Sequence, residues 1–433
     1  MTKKVNVIGG GLAGVEVAYF LANHDIKVNL YEMKPIKYSE AHSSDFLAEL
    51  VCSNSLRSND LKTAVGLLKE EMRVLNSLVI EAAEASQIAG GTSLMVDRNY
   101  FSQYITNKIK AHPNITIINQ EVTSIDTSEI TVIAAGPLAS KGLVDELLKL
   151  TNQTNLNFFD AVAPIIEFDS INLDVCYFKD RYDKGEGSYL NCPMNKDQYD
   201  QFYQALITAK RHAPKDFERE VFEACMPIEV MAERGYQTPL FGPLKPIGLE
   251  REDEKPYAVV QLRPDDFYKK MYNMVGFQTS LKHGQQKAVI QMIPGLENAN
   301  ILRYGVIHKN TYFNSPKILN RGFQFKDYPN LFLVGQISGV EGYVESAASG
   351  IAAGINIYSL INFDKSLLLP NETIIGSLDR YITTYNNSFV PMNANFGIIK
   401  DLEFKVKKKE KRAAYATRSI ETLEQLIKDN EWI

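Results

Sequence analysis

The 433-residue chain is 45% hydrophobic and 23% charged, a composition typical of a soluble globular protein with two or three domains. Its net charge of −5 argues against a generally basic surface, so any nucleic-acid contact must rest on a local group of lysines and arginines. The cysteines Cys52, Cys176, Cys192 and Cys225 include no C-x-x-C pair, which argues against a zinc site or a disulfide framework and fits a reducing cytoplasm. No stretch predicts a signal peptide or a membrane span.

The first predicted element is a strand followed by a glycine turn and a helix. The apolar residues 5–8 precede the run GGGLAG, which fits the pattern G-x-G-x-x-G. Such glycines let the backbone approach a pyrophosphate at the N-terminus of a helix. A second strand, 27–31, ends in an acid at the distance where a ribose hydroxyl is bound. We therefore predict a dinucleotide site, the alternative being a glycine-rich turn in an α/β domain without a ligand. The predicted residues are Gly9, Gly10, Gly11, Leu12, Ala13, Gly14 and Glu32.

Two later strands indicate which dinucleotide is bound. Residues 131–137 form a strand that ends in small residues, and 330–336 form another that runs into glycine. A glycine turn and a stretch of small residues, 346–354, follow. The strand at 330–336, the glycine turn and a helix rich in small residues indicate that FAD is bound at both of its ends, as in two-domain flavoproteins. The alternative is that they form an ordinary second βα unit. The cofactor-binding residues predicted here are Gly335, Gln336 and Gly342.

The pattern of predicted secondary structure changes near residue 158. Before it, helical patterns cover 67–85 and 100–110 between predicted strands. After it, short apolar runs alternate with turns rich in proline and glycine around a helical pattern at 196–211, which indicates an inserted domain centred on a sheet. A last helical pattern covers 401–429 and contains most of the charged residues of the C-terminal part of the chain.

These patterns predict an α/β fold in two domains. A Rossmann-type FAD-binding domain, of the two-dinucleotide-binding flavoprotein type, is expected to be discontinuous and to comprise 1–157 and 301–433. Residues 158–300 are expected to form an inserted α+β domain.

Two cysteines are candidates for nucleophilic chemistry. Cys52 and Cys225 stand in polar, turn-like sequences, and Arg57 and Arg234 are possible activators, because nearby cations favour a thiolate. The alternative for any one of them is a buried structural cysteine, an interpretation that suits Cys176 and Cys192 better.

Further candidates are less specific. His308 could stack or form a hydrogen bond at a site, although a lone histidine is more often structural. Tyr343 follows a glycine turn, where an aromatic ring could cover a flavin or act chemically. A basic cluster could bind RNA phosphates or simply be a solvated helix face. It comprises Lys405, Lys407, Lys408, Lys409, Lys411 and Arg412.

Taken together, these segments resemble the bacterial folate- and FAD-dependent tRNA (uracil-5-)-methyltransferase family. The resemblance covers nearly the whole chain, and the matching motifs taken together are specific for this family. It is carried by GGGLAG at 9–14, AELVCSNSLRS at 48–58, LNCPMNKDQY at 190–199, CMPIEVMAERG at 225–235, FGPLKPIGL at 241–249, YAVVQLR at 257–263, YNMVGFQTSLK at 272–282, IPGLENA at 293–299, GQISGVEGYVESAASG at 335–350 and PMNANFG at 391–397. This chain has His283 where the family usually has tryptophan, and Pro264 where glutamine is common.

The resemblance implies methyl transfer without S-adenosylmethionine. Methylenetetrahydrofolate would supply the carbon, FAD would relay it, and NAD(P)H would supply electrons. By family likeness Cys225 would be the nucleophile at uracil carbon-6 and Cys52 the partner that handles the carbon-5 proton, although these two roles could be exchanged. His308 would stack on the folate pterin, and Tyr343 would lie beside the flavin ring. No metal and no membrane are expected.

The RNA substrate is left open by the sequence. The first interpretation is methylation of the T-loop uridine at position 54 of tRNA, and the second is the same chemistry on 23S ribosomal RNA. A wobble-uridine-modifying flavoprotein and a non-catalytic FAD- or RNA-binding module are weaker alternatives, because this chain retains Cys52 and Cys225.

Overall fold

The fold is taken from a computed structural model of the chain. It describes residues 4–153, 156–183, 187–212, 226–251, 255–385 and 389–433, with the backbone alone for 156–161 and 307–309.

A five-stranded parallel sheet forms the centre of the larger part, in the order β16-β7-β1-β2-β6. The strands β7 and β16 are short runs buried at every residue, which is typical of parallel sheets, whereas β2 and β6 each have exposed residues. The register pairs Val5 with Val28 and Val7 with Val132, so the N-terminal strand is central. The strands are β1 (Lys4–Ile8), β2 (Lys27–Glu32), β6 (Ile115–Asn119), β7 (Thr131–Ile133) and β16 (Leu331–Leu333).

Helices surround this sheet, and two of them pack closely together. Helix α1 (Leu12–Asn23) lies along α11 (Tyr343–Phe363), with Gly350 against the backbone of Ala13 and Gly354 against the ring of Phe20. A side chain at position 350 would meet the carbonyl oxygen of Ala13 at 2.3 Å, so the small residues allow the contact. The other helices of this part are α2 (Ala64–Val74), α3 (Leu78–Ala85), α4 (Arg98–Ala111), α5 (Lys141–Thr151), α10 (Ser315–Ile318), α12 (Ile374–Thr383) and α13 (Lys411–Asp429).

The middle of the chain forms a six-stranded sheet, in the order β10-β11-β12-β13-β9-β14, whose paired strands are antiparallel. Its strands are β9 (Ile165–Glu167), β10 (Tyr177–Phe178), β11 (Leu190–Met194), β12 (Ala258–Pro264), β13 (Met271–Met274) and β14 (Ile301–Arg303). Its helices are α6 (Lys196–Thr208), α7 (Ile228–Glu233), α8 (Thr238–Phe241) and α9 (His283–Ile290).

Two small sheets lie at the junctions. A three-stranded sheet follows the Cys52 region, and a two-stranded ribbon links the two large sheets along the chain. Their strands are β3 (Ser55–Ser58), β4 (Gln87–Ile88) and β5 (Ser93–Val96) in the first, and β8 (Leu156–Ala161) and β15 (Ile307–Tyr312) in the second.

The buried apolar side chains fall into two clusters. One contains residues between 5 and 147 together with residues between 312 and 423, and the other contains residues between 166 and 299. The α/β fold class is therefore confirmed. The domain boundaries at 157/158 and 300/301 stay a prediction.

Three predicted helices have different limits in the structure. The pattern at 67–85 is two helices, α2 and α3, because Asn76 adopts a left-handed conformation (φ 55°) and Ser77 caps the second. The pattern at 196–211 ends at Thr208, where α6 gives way to the extended Ala209. The helix predicted from 401 begins only at Lys411, and residues 401–410 before it are mostly exposed and lie outside helices and strands.

Helix α11 is long and apolar enough to span a membrane by length and composition alone. Its 18-residue apolar window is 83% buried inside the protein. Its apolar character therefore serves the packing of the core, where α11 meets α1.

Candidate active site

A cavity with about 1100 Å³ of empty space, including the part open to solvent, lies at the carboxyl ends of the parallel strands. This is where ligands bind in open α/β sheets. Most of the predicted cofactor residues line it, whereas Gly14 and Gly342 are not part of its lining. The predicted residues in the lining are Gly9, Gly10, Gly11, Leu12, Ala13, Glu32, Gly335, Gln336 and Tyr343.

The glycine turn leaves an open cradle at the start of α1. Gly9 has φ +105°, a conformation that favours glycine, and a side chain at Gly14 would meet the Gly9 carbonyl oxygen at 1.9 Å. Gly11 is different, because its φ is −78° and the nearest atom to an added Cβ is the Ala134 oxygen at 3.9 Å. Gly9 and Gly14 therefore shape the turn, while Gly11 borders empty space beside the free N–H groups of the helix N-terminus.

Glu32 fixes the turn and faces the cavity. Its carboxylate is 8% exposed and accepts hydrogen bonds from the backbone N–H of Gly10 at 2.9 Å and of Lys34 at 3.0 Å. A carboxylate has about four acceptor positions, so two remain for ribose hydroxyls. The predicted role of Glu32 fits its observed surroundings.

The second glycine turn brings another helix N-terminus to the same cavity. Gly342, with φ +111°, precedes α11, and Tyr343 and Ser346 of its first turn line the cavity. Gly335, with φ +76°, donates its N–H to Ser349 Oγ at 2.9 Å. Two helix N-termini therefore point positive dipole ends toward one cavity, an arrangement that suits an anionic, two-ended ligand.

Charged residues that the sequence analysis missed line the cavity near Glu32. Lys34 is 4% exposed and lies 3.7 Å from a carboxylate oxygen of Glu49. Burial, together with the charge of Lys34, lowers the pKa of His42, so a neutral imidazole faces the cavity at neutral pH. No local motif signals these residues, because they converge only in the folded chain.

Three guanidinium groups hold the segment around Cys52. Arg98 donates to the carbonyl oxygens of Leu50 at 2.7 Å and of Cys52 at 3.5 Å. Arg303 donates to the carbonyl oxygen of Val51 at 2.9 Å. The third, Arg263, donates to the Ser53 hydroxyl at 2.5 Å. The segment that carries Cys52 is thus fixed by cations from α4, β12 and β14.

The three arginines differ in how their charge is compensated. Arg98 makes a two-point ion pair with Asp265, at 2.8 and 3.1 Å, which keeps the pKa of Arg98 raised although burial opposes its charge. Burial lowers the pKa of both Arg263 and Arg303. Among the described residues neither has a carboxylate within ion-pair distance. Positive charge is therefore left over beside Cys52, where it would stabilise an anion.

Tyr343 joins the cavity to the Cys52 segment. Its hydroxyl oxygen accepts hydrogen bonds from the backbone N–H of Cys52 at 2.7 Å and of Ser53 at 3.2 Å. Burial raises the pKa of the Tyr343 phenol well above its usual range, so the hydroxyl keeps its proton at neutral pH. The side chain of Tyr343 therefore contacts both the predicted cofactor cavity and the backbone of Cys52.

Arg57, a possible activator of Cys52 in the sequence analysis, has another observed partner. It forms an ion pair with Glu345, which is fully buried in α11 and also accepts the N–H of Ala394 at 2.8 Å. Behind it, the buried Lys69 donates to the carbonyl oxygens of residues 56, 57 and 58. These contacts tie β3, immediately after Cys52, to α2 and α11.

Cys225 lies outside the described residues, and for His308 only the backbone is described. His308 is in β15, opposite Asp160 of β8 in the backbone register. Cys176 and Cys192 are 4% and 0% exposed, with their sulfur atoms 3.2 Å apart. The interpretation of these two as buried cysteines is confirmed.

His283 keeps an aromatic contact at the position where the resembling family usually has tryptophan. Its ring stacks on Tyr304, with centroids 4.5 Å apart, and lies edge-on to His212 at 5.9 Å. Within the described part of the chain, no group of three or more His, Cys, Asp or Glu side chains could hold a metal ion.

The arrangement fits a dinucleotide. The cradle at Gly11 suits a pyrophosphate, Glu32 suits a ribose, and Tyr343, which also lines the cavity, contacts the Cys52 segment. A cofactor in this cavity would therefore reach from the glycine turn to the region of the candidate cysteine.

Comparisons with known proteins agree with this geometry. The family model described as glucose inhibited division protein A matches residues 4–364. Methylenetetrahydrofolate--tRNA-(uracil-5-)-methyltransferase TrmFO of Acholeplasma laidlawii (strain PG-8A) is 58% identical over 98% of this chain and 99% of its own length. The protein of the same name from Bacillus subtilis (strain 168) is 55% identical over 98% of both chains.

A solved structure supports the fold alone. GidA of Aquifex aeolicus, in its form II crystal, superposes with a TM-score of 0.70 at 17% identity, covering 99% of this chain and 76% of that one. The sequence relatives are far more similar and extend over nearly the whole chain. The chain therefore belongs to the glucose inhibited division protein A family and, within it, to the methylenetetrahydrofolate--tRNA-(uracil-5-)-methyltransferases.

Proposed function

We propose that this protein methylates carbon-5 of the uridine at position 54 in the T-loop of tRNA. Methylenetetrahydrofolate is the carbon donor, FAD the bound cofactor and NAD(P)H the reductant. The observation that carries the proposal is the hydrogen bond between Tyr343, in the wall of the dinucleotide cavity, and the backbone of Cys52. It brings a candidate cysteine to the cofactor site in a chain whose relatives are named for this reaction. The proposed setting is the cytoplasm.

The cysteines supply the chemistry that the uracil ring requires. A thiolate, which we assign to Cys225, adds to carbon-6 of the uracil, and the electron pair of the 5,6 double bond moves onto carbon-5 and the carbonyl oxygen. Carbon-5 then bonds to the one-carbon unit as one bond between that carbon and a folate nitrogen breaks, and the nitrogen keeps the electron pair. The second carbon–nitrogen bond breaks when two electrons and a proton reduce the methylene to methyl. The carbon-5 proton passes to a base, which we assign to Cys52, and the carbon–sulfur bond breaks to restore the double bond. The two roles could be exchanged.

The remaining roles in the reaction fall to the bound cofactor and to the positively charged side chains near Cys52. Bound FAD would link the electrons of NAD(P)H to the reduction of the one-carbon unit from methylene to methyl. Leu12, Ala13 and Gly11 would hold its pyrophosphate, and Glu32 its ribose. Arg263 and Arg303 would stabilise negative charge on the uracil oxygen or on an RNA phosphate near Cys52. The target base must leave its stack to reach this site. His308 is assigned to the pterin of the folate.

The choice of RNA is tested by assaying the two candidate substrates side by side. The purified protein is incubated with labelled methylenetetrahydrofolate, NAD(P)H and either a tRNA transcript or a 23S ribosomal RNA transcript. We expect label in the tRNA, and none in a matched tRNA with cytidine at position 54. Label confined to the ribosomal RNA would move the substrate to the second interpretation, and label in neither RNA would contradict the proposed activity.

Substitution of Tyr343 by phenylalanine tests the link between the cavity and the Cys52 segment. The change removes the acceptor of two backbone N–H groups, each worth about 0.5–1.5 kcal/mol. We expect turnover to fall about ten- to a hundredfold, because the Cys52 segment loses its position. FAD content should stay within about twofold, since the ring and the helix N-terminus remain. A normal rate in the variant would remove Tyr343 from this role.

A further inference from the structure

A second surface feature lies close to Cys52, on the loop that joins β12 to β13. This loop, residues 265–270, displays exposed rings and ammonium groups. Tyr268 is 83% exposed and Phe267 43% exposed, and Lys269 and Lys270 are both exposed. Tyr100 of α4, 44% exposed, meets the ring of Phe267 edge-on at 5.5 Å. Three aromatic rings and two cations thus share one patch of surface.

The acidic residues of the same loop do not offset this charge at the surface. Asp265 is 2% exposed and is used by Arg98, while Asp266 is 7% exposed. Asp266 accepts the backbone N–H groups of Lys270 at 2.9 Å and of Met271 at 3.0 Å. Both carboxylates point inward, so the outer face of the loop presents rings and positive charge only.

The loop is held in a single shape despite its exposed tip. Besides the two bonds to Asp266, the N–H of Phe267 donates to the buried Asp97 carboxylate at 3.1 Å, and the N–H of Asp265 donates to the carbonyl oxygen of Met271 at 2.8 Å. A fixed loop loses little conformational entropy on binding. Exposed aromatic side chains on a fixed loop are typical of a binding surface rather than of a solvated turn.

The loop is coupled to the Cys52 segment through one side chain. Arg98 binds Asp265 at the base of the loop and the carbonyl oxygens of Leu50 and Cys52 on its other side. The loop and the segment that carries Cys52 therefore lie on either side of one guanidinium group.

We propose that the 265–270 loop, together with Tyr100, binds the RNA next to the target uridine, its rings stacking on unpaired bases and its lysines contacting phosphates. Stacking on aromatic rings and phosphate contacts by lysine are the usual means of binding single-stranded RNA. The exposed rings and ammonium groups of this patch also complement a partner that has exposed aromatic faces and negative charge. The inference rests on the proposed function, in that it takes RNA as the substrate.

The test uses the FAD-loaded full-length enzyme and a tRNA transcript. For Tyr268→Ala we expect about tenfold weaker tRNA binding and a similar rise in KM, with kcat within about twofold of the wild type. For Lys269→Gln combined with Lys270→Gln, the slope of log affinity against log salt should become less steep by about 1–2. FAD content and NAD(P)H oxidation without RNA should not change. Tyr268→Trp should restore binding.

Phe363→Ala is the matched control. Phe363 is 55% exposed at the last turn of the 21-residue α11, about 30 Å along that helix from the cavity. Its loss should leave tRNA affinity unchanged. Unchanged affinity and salt slope in both loop variants would overturn the inference while leaving the proposed function intact. Absence of methylation by the wild type would instead count against the proposed function, because tRNA binding is measured separately from methyl transfer.

Discussion

Replacement of Cys225 by alanine is expected to reduce methyl transfer to tRNA by at least about 1,000-fold, because the variant lacks the thiolate that we assign as the nucleophile at uracil carbon-6. Cys52→Ala should be similarly impaired, since the carbon-5 proton then lacks its assigned acceptor. FAD should remain bound in both variants, because neither cysteine belongs to the glycine turn or to the Glu32 contacts. The measurement is single-turnover methylation with FAD quantified by absorbance.

A matched control for the cysteine variants is Cys176→Ala. Cys176 is 4% exposed and packs against Cys192 within the six-stranded-sheet part of the protein. Its replacement removes a thiol without touching the cavity, so turnover should stay near that of the wild type. Near-normal turnover of Cys225→Ala would refute its assignment as the nucleophile, and near-normal turnover of Cys52→Ala would refute its role with the proton.

The second large effect is expected from Gly11→Val. Gly11 has an ordinary φ of −78°, and an added Cβ would have only the Ala134 oxygen within 4 Å, at 3.9 Å. The variant should therefore fold, while its side chain occupies the cradle assigned to the pyrophosphate. Such an overlap costs about 1–3 kcal/mol or more, and each 1.4 kcal/mol lowers affinity about tenfold. We expect the purified variant to retain less than about a tenth of the wild-type FAD.

Gly284→Val provides the comparison for Gly11→Val. Gly284 is in α9, and nothing lies within 4 Å of its added Cβ. Both variants should show the unfolding behaviour of a folded protein, and only Gly11→Val should purify colourless. Full FAD content in Gly11→Val would show that the pyrophosphate does not lie at this turn. Recovery of NAD or FMN instead of FAD from the wild type would contradict the flavoprotein assignment.

The cofactor side of the site follows from local sequence. The turn at 9–14 and the acid at 32 have fixed spacing, because a tight strand-turn-helix unit determines where each group lies. The structure accordingly brings Gly11 and Glu32 to one cavity. The same reasoning located Gly335 and Gln336, since a second strand and glycine turn repeat the pattern late in the chain.

The substrate side could not be predicted in the same way. Arg98, Arg263 and Arg303 reach the Cys52 segment from three distant parts of the chain, and no spacing in the sequence relates them. Arg57 is close to Cys52 in sequence, yet its ion pair is with Glu345, because a buried carboxylate at α11 requires a cation. Proximity in sequence suggested Arg57, whereas tertiary packing supplies the other arginines.

The predicted helix limits show where local patterns lose precision. The run 67–85 has continuous helical character, but Asn76 breaks it because asparagine tolerates the left-handed conformation. In the 401–429 run, the residues before Lys411 are mostly exposed and lie outside helices and strands. The basic cluster from Lys405 to Arg412 therefore spans a loop and the start of α13. It stays a candidate RNA contact alongside the 265–270 loop.

The origin of the methyl carbon tests the central claim most directly. The wild-type enzyme, loaded with FAD, receives a tRNA transcript, NAD(P)H, methylenetetrahydrofolate and S-adenosylmethionine, with carbon-13 placed in one of the two donors at a time. Mass spectrometry of the nucleosides should show labelled 5-methyluridine at position 54 only when methylenetetrahydrofolate carries the label. Labelled product from S-adenosylmethionine, or no 5-methyluridine from an enzyme that holds FAD, would contradict the account.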